Sequence, residues 1–274
     1  MNSLFQRNWY TSVQRSGDDM LQAETCYVDS EREAAARLLV NVKDFCVKEA
    51  VWEEHRTGGK PGTGVRTVPV LHGQEAYFNA GAALQQVAQF LADPLAVPLF
   101  AETVKGVIQA ETFLWDLRGY GSAEEYSRYW GKYYAGSCRY YSNLDRVETG
   151  WFEHVGEEQR EGNLFVRFKT QTFYSLGEGA YLLTGNLSDS FHQVSVNLEL
   201  AAEDWRVIRA AGTLHRTPDK VCREASGFLQ ELVGTGLKGL GKKEIAGLLG
   251  KGQGCVHLID LVSDAVHILE LHRF

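Results

Sequence analysis

The feature that most constrains this chain is an internal repeat. Residues Leu4–Thr57 lie on Leu164–Thr217 without a gap. Leu4, Phe5 and Arg7 match Leu164, Phe165 and Arg167, Asp29-Ser30 matches Asp189-Ser190, Asp44 matches Asp204, and Val47 matches Val207. Both segments close on the same triplet, His55-Arg56-Thr57 and His215-Arg216-Thr217. An ungapped match preserves which side chains point inward, so the two segments should form the same strands in the same register. The repeat is one event at domain scale, not a solenoid of short units. A chain of 274 residues is long enough for two domains with a core each.

Periodicity fills in the elements. Leu164–Tyr174 alternates, Gly177-Glu178-Gly179 reads as a turn, and Ala180–Leu187 resumes as a strand. Phe191–Leu200 sets Val194, Val196, Leu198 and Leu200 against Gln193, Ser195, Asn197 and Glu199, as in a half-buried antiparallel strand. Ala202-Glu203-Asp204 turns the chain into a fourth strand, Trp205–Leu214. After Pro218 the period becomes helical. Asp219 is placed to cap a helix through Cys222–Val233, which Gly234 and Gly236 end. A short helix over Lys242–Leu249, a loop at Gly250, Gly252 and Gly254, and a last helix from about Cys255 to His272 follow.

The first copy keeps this order, with strands to about Trp52, an inserted glycine-rich loop at Gly58–Gly64, a helix over Ala80–Leu91 and another from Ala110. There, Ala110–Leu117 answers Gly254–Leu261. Strands followed by helices in each half predict an α+β fold. The expectation is a tandem duplication of a small antiparallel sheet with helices packed on one face, the halves pairing pseudo-symmetrically. The expected domains are a degenerate first repeat (1–135), an aromatic-rich connection (136–163) and an equipped second repeat (164–274).

Around the connection, Tyr126, Tyr129, Trp130, Tyr133 and Tyr134 fall at helical spacing, with Tyr140 and Tyr141 beyond. This is a helix packed at an interface or an aromatic wall for a planar ligand. The net charge of −7 argues against a nucleic-acid partner and against docking on an anionic membrane. The N-terminal residues lack the apolar core of a signal peptide, and no stretch approaches a membrane span, so the expectation is cytoplasmic. Five cysteines without a dense framework read as reduced thiols, Cys26 and Cys46 as buried residues of strands.

Chemistry-bearing residues concentrate in the second copy. Cys255 and His257 stand two apart at a helix start after a flexible loop, where a helix N-terminus favours thiolate. Cys222 opens the preceding helix, and His192 opens the third strand just after Asp189. These positions all lie where strands hand over to helices or turns, so they can converge. Two thiols and two imidazoles suit zinc or iron, with Asp189 as a further ligand or orienter. The first copy has Arg32, Tyr77, Glu111 and Phe113 in these places, so it reads as a structural or partner-binding copy. Each candidate also has a plain structural reading, as a core thiol or a surface or capping imidazole. His215, His267 and His272 carry only that reading.

The ordered set Asp189-x-x-His192, Val207-Ile208, Pro218-x-x-x-Cys222 and Gly254-Cys255-x-His257-Leu258 resembles the signature of the domain of unknown function 2889 family over about Leu164–Leu269. That resemblance implies boundaries and candidate residues, not a reaction. The order of strands, a Cys-bearing helix start and a later helix opened by Cys and His is also distantly similar to iron–sulfur scaffold proteins of the NifU/IscU type. Their usual first cysteine is missing here. The residues support a metal-binding accessory or scaffold-like protein acting with a partner protein. Two alternatives stand beside it. One is a thiol enzyme with Cys255 or Cys222 as nucleophile and His257 or His192 as base; the other is a small-ligand binder using the aromatic segment.

Overall fold

A computed structural model describes residues 1–177 and 179–271; Glu178 of the expected turn and His272 at the expected helix end lie outside the described residues. The strands are β1 (Asn2–Arg15), β2 (Met20–Asp29), β3 (Glu33–Asn41), β4 (Val47–Thr57), β5 (Lys60–Thr67), β6 (Asn163–Gly177), β7 (Ala180–Asp189), β8 (Gln193–Ala201) and β9 (Val207–Arg216). They form one nine-stranded sheet in the order β5-β4-β3-β2-β1-β6-β7-β8-β9. The fold is α+β, but the expected pair of small sheets is wrong. Two separate meanders would each leave the backbone groups of a long first strand unpaired along an edge. In the observed order those first strands, β1 and β6, are hydrogen-bonded neighbours.

Within each meander the registers correspond. Met20 pairs with Asn41 and Val28 with Glu33; Ala180 pairs with Ala201 and Ser188 with Gln193. The β3–β4 ladder shifts register between Glu33 and Ala34 and between Leu39 and Val40. The β8–β9 ladder shifts at the matching places, between Gln193 and Val194 and between Glu199 and Leu200. Phe45 and Trp205, at matching turn positions, both adopt positive φ.

The glycine-rich insert is a hairpin rather than a loop. Gly58 (φ +54°) and Gly59 (φ +71°) join β4 to β5, and Thr57 pairs with Lys60 across them. A two-residue turn with both φ positive matches strand twist and favours glycine.

The chain divides into two compact units, one of Arg7–Tyr126 and Glu157–Phe168, the other of Met1–Gln6, Ser127–Gly156 and Lys169 onward. In the first, α1 (Gly81–Leu91) runs as expected, but α2 spans Ala96–Ala110 and ends where a helix was expected to begin. Pro94 and Pro98 masked it in the sequence; Pro98 sits in the first turn, where no intrahelical N–H is needed. A side chain at Gly106 of α2 would meet Thr11 Cγ2 at 2.9 Å. Arg167 and Glu102, both buried, pair at 2.9 Å.

The second unit holds α3 (Ala123–Tyr133, from Ser127 on), α4 (Trp151–Val155), a 3₁₀ helix Lys220–Leu232, α5 (Lys242–Leu248) and α6 (Val256–Leu271). Asp219 caps the 3₁₀ helix as expected, accepting from the N–H of Val221. It also accepts from Glu148 and Thr149, each at 2.9 Å. That helix packs on β9, and α6 packs on β7 and β8. Aromatic rings of the connection pack on one another, Trp130 tilted on Tyr134 at 4.6 Å and Tyr134 stacked near Tyr141 at 5.3 Å. Among the described residues, no helix is long and apolar enough to cross a membrane.

Candidate metal centre

The site is built on the turn between β7 and β8. Asp189 Oδ1 accepts from the N–H of Phe191 (2.8 Å) and of His192 (2.7 Å), and the Asp189 N–H closes the turn on the His192 carbonyl at 2.8 Å. An aspartate bonding its own backbone two and three residues on is the natural chemistry for so tight a reversal. The Arg216 guanidinium, at the end of β9, donates to the carbonyls of Asp189 and His192. Phe191 is buried and meets the Trp151 ring at 5.1 Å. His154 Nε2 lies 2.9 Å from the Phe191 carbonyl, so that nitrogen carries the proton.

Onto this turn α6 delivers His257. Its Nε2 lies 4.0 Å from Asp189 Oδ2, while His192 Nδ1 lies 3.3 Å from Asp189 Oδ1. The two imidazole centroids are 4.0 Å apart. One ligand atom from each of Asp189, His192 and His257 falls within 4.8 Å of the others. The Asp189 side chain is 0% exposed, and the imidazoles of His192 and His257 are 13% and 12% exposed. The buried carboxylate thus faces two imidazoles that are themselves mostly out of solvent. Metal bonds of about 2.0–2.2 Å to nitrogen and oxygen require ligand atoms roughly 3–3.6 Å apart in tetrahedral geometry; His192 Nδ1 and Asp189 Oδ1 already stand 3.3 Å apart, and His257 Nε2 stands 4.0 Å from Asp189 Oδ2.

The thiols are placed differently. Cys222 and Cys255 are buried in the apolar core, with Cys138 packed against it. Cys255 Sγ touches His257 Nδ1 at 3.8 Å but is not among the three clustered ligand atoms, and neither is Cys222. Burial pushes the Cys222 thiol up to about 11 and the Cys255 thiol up to about 12, outweighing the backbone hydrogen bonds that oppose the shift. The expected gain from a helix N-terminus is thus overridden by desolvation, and both groups are thiols at neutral pH. Burial likewise lowers His154, helped by the charges of His192 and Arg216.

His154 and Arg216 escaped the sequence reading. Arg216 left a trace there, since it recurs as Arg56; His154 sits in a short helix with no signal of its own. His215 lies 3.3 Å from Ser195 Oγ on the exposed surface, and His267 faces the Ser263 carbonyl of its own helix.

In the other unit, Asp29 makes the same turn, accepting from the N–H of Glu31 and Arg32 at 2.7 Å each. Arg32, in the place of His192, pairs with Asp93 (2.6 Å) and Glu54 (3.3 Å). Tyr77 and Glu111, in the places of Cys222 and Cys255, hydrogen-bond at 2.7 Å, and Arg118 neutralises the buried Glu111 at 2.8 Å. Phe113, in the place of His257, lies under the Arg160 guanidinium at 4.1 Å. Arg32 thus puts a fixed cation in the place of His192, and Arg118 and Arg160 lie against the residues in the places of Cys255 and His257.

Residues 178–269 match a family model described as Protein of unknown function (DUF2889). The matched stretch contains Asp189, His192, Cys222, Cys255 and His257. No curated protein and no solved structure matches the chain. The similarity to NifU/IscU-type scaffolds therefore has no support, and the nine-stranded sheet does not have the expected two-sheet architecture.

Proposed function

We propose that this protein is a metal-binding accessory protein holding one zinc or iron(II) ion on Asp189, His192 and His257. The observation that carries this reading is the convergence of two imidazoles on a carboxylate that is fully out of solvent. A two-histidine, one-carboxylate set suits either ion and leaves coordination positions open for water or an incoming ligand. Two imidazoles that each keep a small exposed edge beside the buried carboxylate fit a carrier that passes its metal to a partner protein. The acidic net charge fits a protein that works without nucleic acid or an anionic membrane surface.

Metal analysis of untagged protein purified without chelator tests the reading, followed by zinc titration of the metal-free protein. One equivalent of zinc or iron is expected, lost in His257→Ala and in Asp189→Asn. Protein that arrives metal-free and takes up no zinc at micromolar concentration sinks the proposal.

A further inference from the structure

His257 presents its two ring nitrogens to different partners. Nε2 faces the Asp189 carboxylate at 4.0 Å, and Nδ1 faces Cys255 Sγ at 3.8 Å, within sulfur hydrogen-bonding distance. A histidine that binds metal through one nitrogen carries its proton on the other, and the group receiving that proton fixes the ring. We propose that Cys255 is the positioning residue of His257: its sulfur accepts the Nδ1–H, leaving the Nε2 lone pair aimed at the site. This rests on the metal reading above and assigns the buried thiol a role other than ligand or nucleophile.

The backbone around Cys255 is held for such a task. Gly254 approaches so closely that a side chain there would clash with the Leu249 carbonyl oxygen. The Gly254 carbonyl accepts from the Arg139 N–H at 2.8 Å, and the Cys255 carbonyl accepts from the Ile259 N–H at 3.0 Å. Arg139 also donates through Nε to the Val221 carbonyl at 3.1 Å and through Nη1 to the Gln253 carbonyl at 3.2 Å. Anchored on both sides and buried, the sulfur has little freedom to leave His257. A ligand-orienting group needs that rigidity, because a ring free to turn about its own axis would offer either nitrogen.

The test uses the full chain, ¹⁵N-labelled, with zinc as the probe. Long-range ¹H–¹⁵N spectra of the imidazoles should show zinc on Nε2 of His257 and the proton on Nδ1. Cys255→Ala should weaken zinc binding about 10–100-fold, the usual effect of removing such an outer partner, and should mix the two coordination modes of the ring. Cys255→Ser, whose hydroxyl also accepts, should restore most of the affinity. Cys222→Ala, which removes a buried thiol that is not in the triad, should leave affinity and His257 signals unchanged. Zinc on Nδ1 in the unaltered protein overturns the inference even if Cys255→Ala fails to fold. Unaltered affinity in Cys255→Ala overturns it too. A thiolate-to-cobalt charge-transfer band in the cobalt-loaded protein, absent in Cys255→Ala, would make Cys255 a direct ligand and also overturn it. In all three cases the metal reading stands; if the unaltered protein binds no zinc, the metal reading fails and this inference with it.

Discussion

Asp189 Oδ2 stands 4.0 Å from Nε2 of His257, although one residue ends a strand and the other opens the last helix. The two carboxylate oxygens of Asp189 share the work unequally. Oδ1 holds the turn through two backbone N–H groups and also meets His192 Nδ1 at 3.3 Å, while Oδ2 faces the His257 imidazole. Asparagine keeps an acceptor and loses the charge, whereas alanine loses both.

Substitution at Asp189 should therefore separate folding from binding. Asp189→Asn should fold with a melting temperature near that of the parent yet bind zinc at least tenfold more weakly. Asp189→Ala strands the N–H groups of Phe191 and His192 and should cost roughly 2–4 kcal/mol of stability. Urea unfolding together with zinc titration checks both. Equal loss of stability in the two variants would show that the turn depends on charge rather than on hydrogen bonding.

Asp219 anchors the connection to the 3₁₀ helix and sets part of the acid sensitivity. Burial would raise its carboxyl, but donation from the N–H groups of Val221, Thr149 and Glu148 outweighs this and holds it below the usual carboxylate range. A depressed folded pKa favours the native state above the unfolded value, near 4, and that contribution is lost as the pH falls through the folded value. Asp219→Ala should cost roughly 2–4 kcal/mol at neutral pH. The acid limb of the stability curve should flatten in Asp219→Asn, measured by urea unfolding at a series of pH values.

Thiol labelling distinguishes the buried cysteines from the rest. In native protein at pH 8, Cys222 and Cys255 should react with iodoacetamide far more slowly than the half-buried Cys46, because they are buried and protonated. All five should label together in denaturant. Mass spectrometry of timed digests reads the order. Rapid modification of Cys255 or Cys222 in the native state would restore the thiol-enzyme reading.

Packing between β9 and the 3₁₀ helix leaves no space at Gly212. A side chain there would meet Leu229 Cδ1 and the Ser195 carbonyl oxygen, each at 2.6 Å. Gly212→Ala should destabilise by about 1–3 kcal/mol through overpacking. Gly212→Ala combined with Leu229→Ala should be less destabilising than the sum of the singles, since one of the two clashes is removed. Strict additivity in thermal unfolding would contradict the close approach.

The sequence by itself determined the four repeated strands of each half and their registers, because alternation and an ungapped match record which side chains face inward. It also marked Asp189, His192, Cys222, Cys255 and His257 as candidate ligands, because they sit where strands hand over to helices or turns; only Asp189, His192 and His257 cluster in the fold. Tertiary structure decided the rest. One sheet forms instead of two because pairing between first strands runs through backbone groups, which no side-chain pattern encodes. Proline near a helix start hid α2, and a pair of glycines with positive φ turned an expected loop into a fifth strand. Cys222 and Cys255 carry a strong chemical signature in the sequence, yet their burial and the direction of their thiol shifts depend on the chain packed over them. His257 comes to Asp189 through the packing of α6 on β7 and β8, a contact between segments distant in the chain that only the folded core brings together.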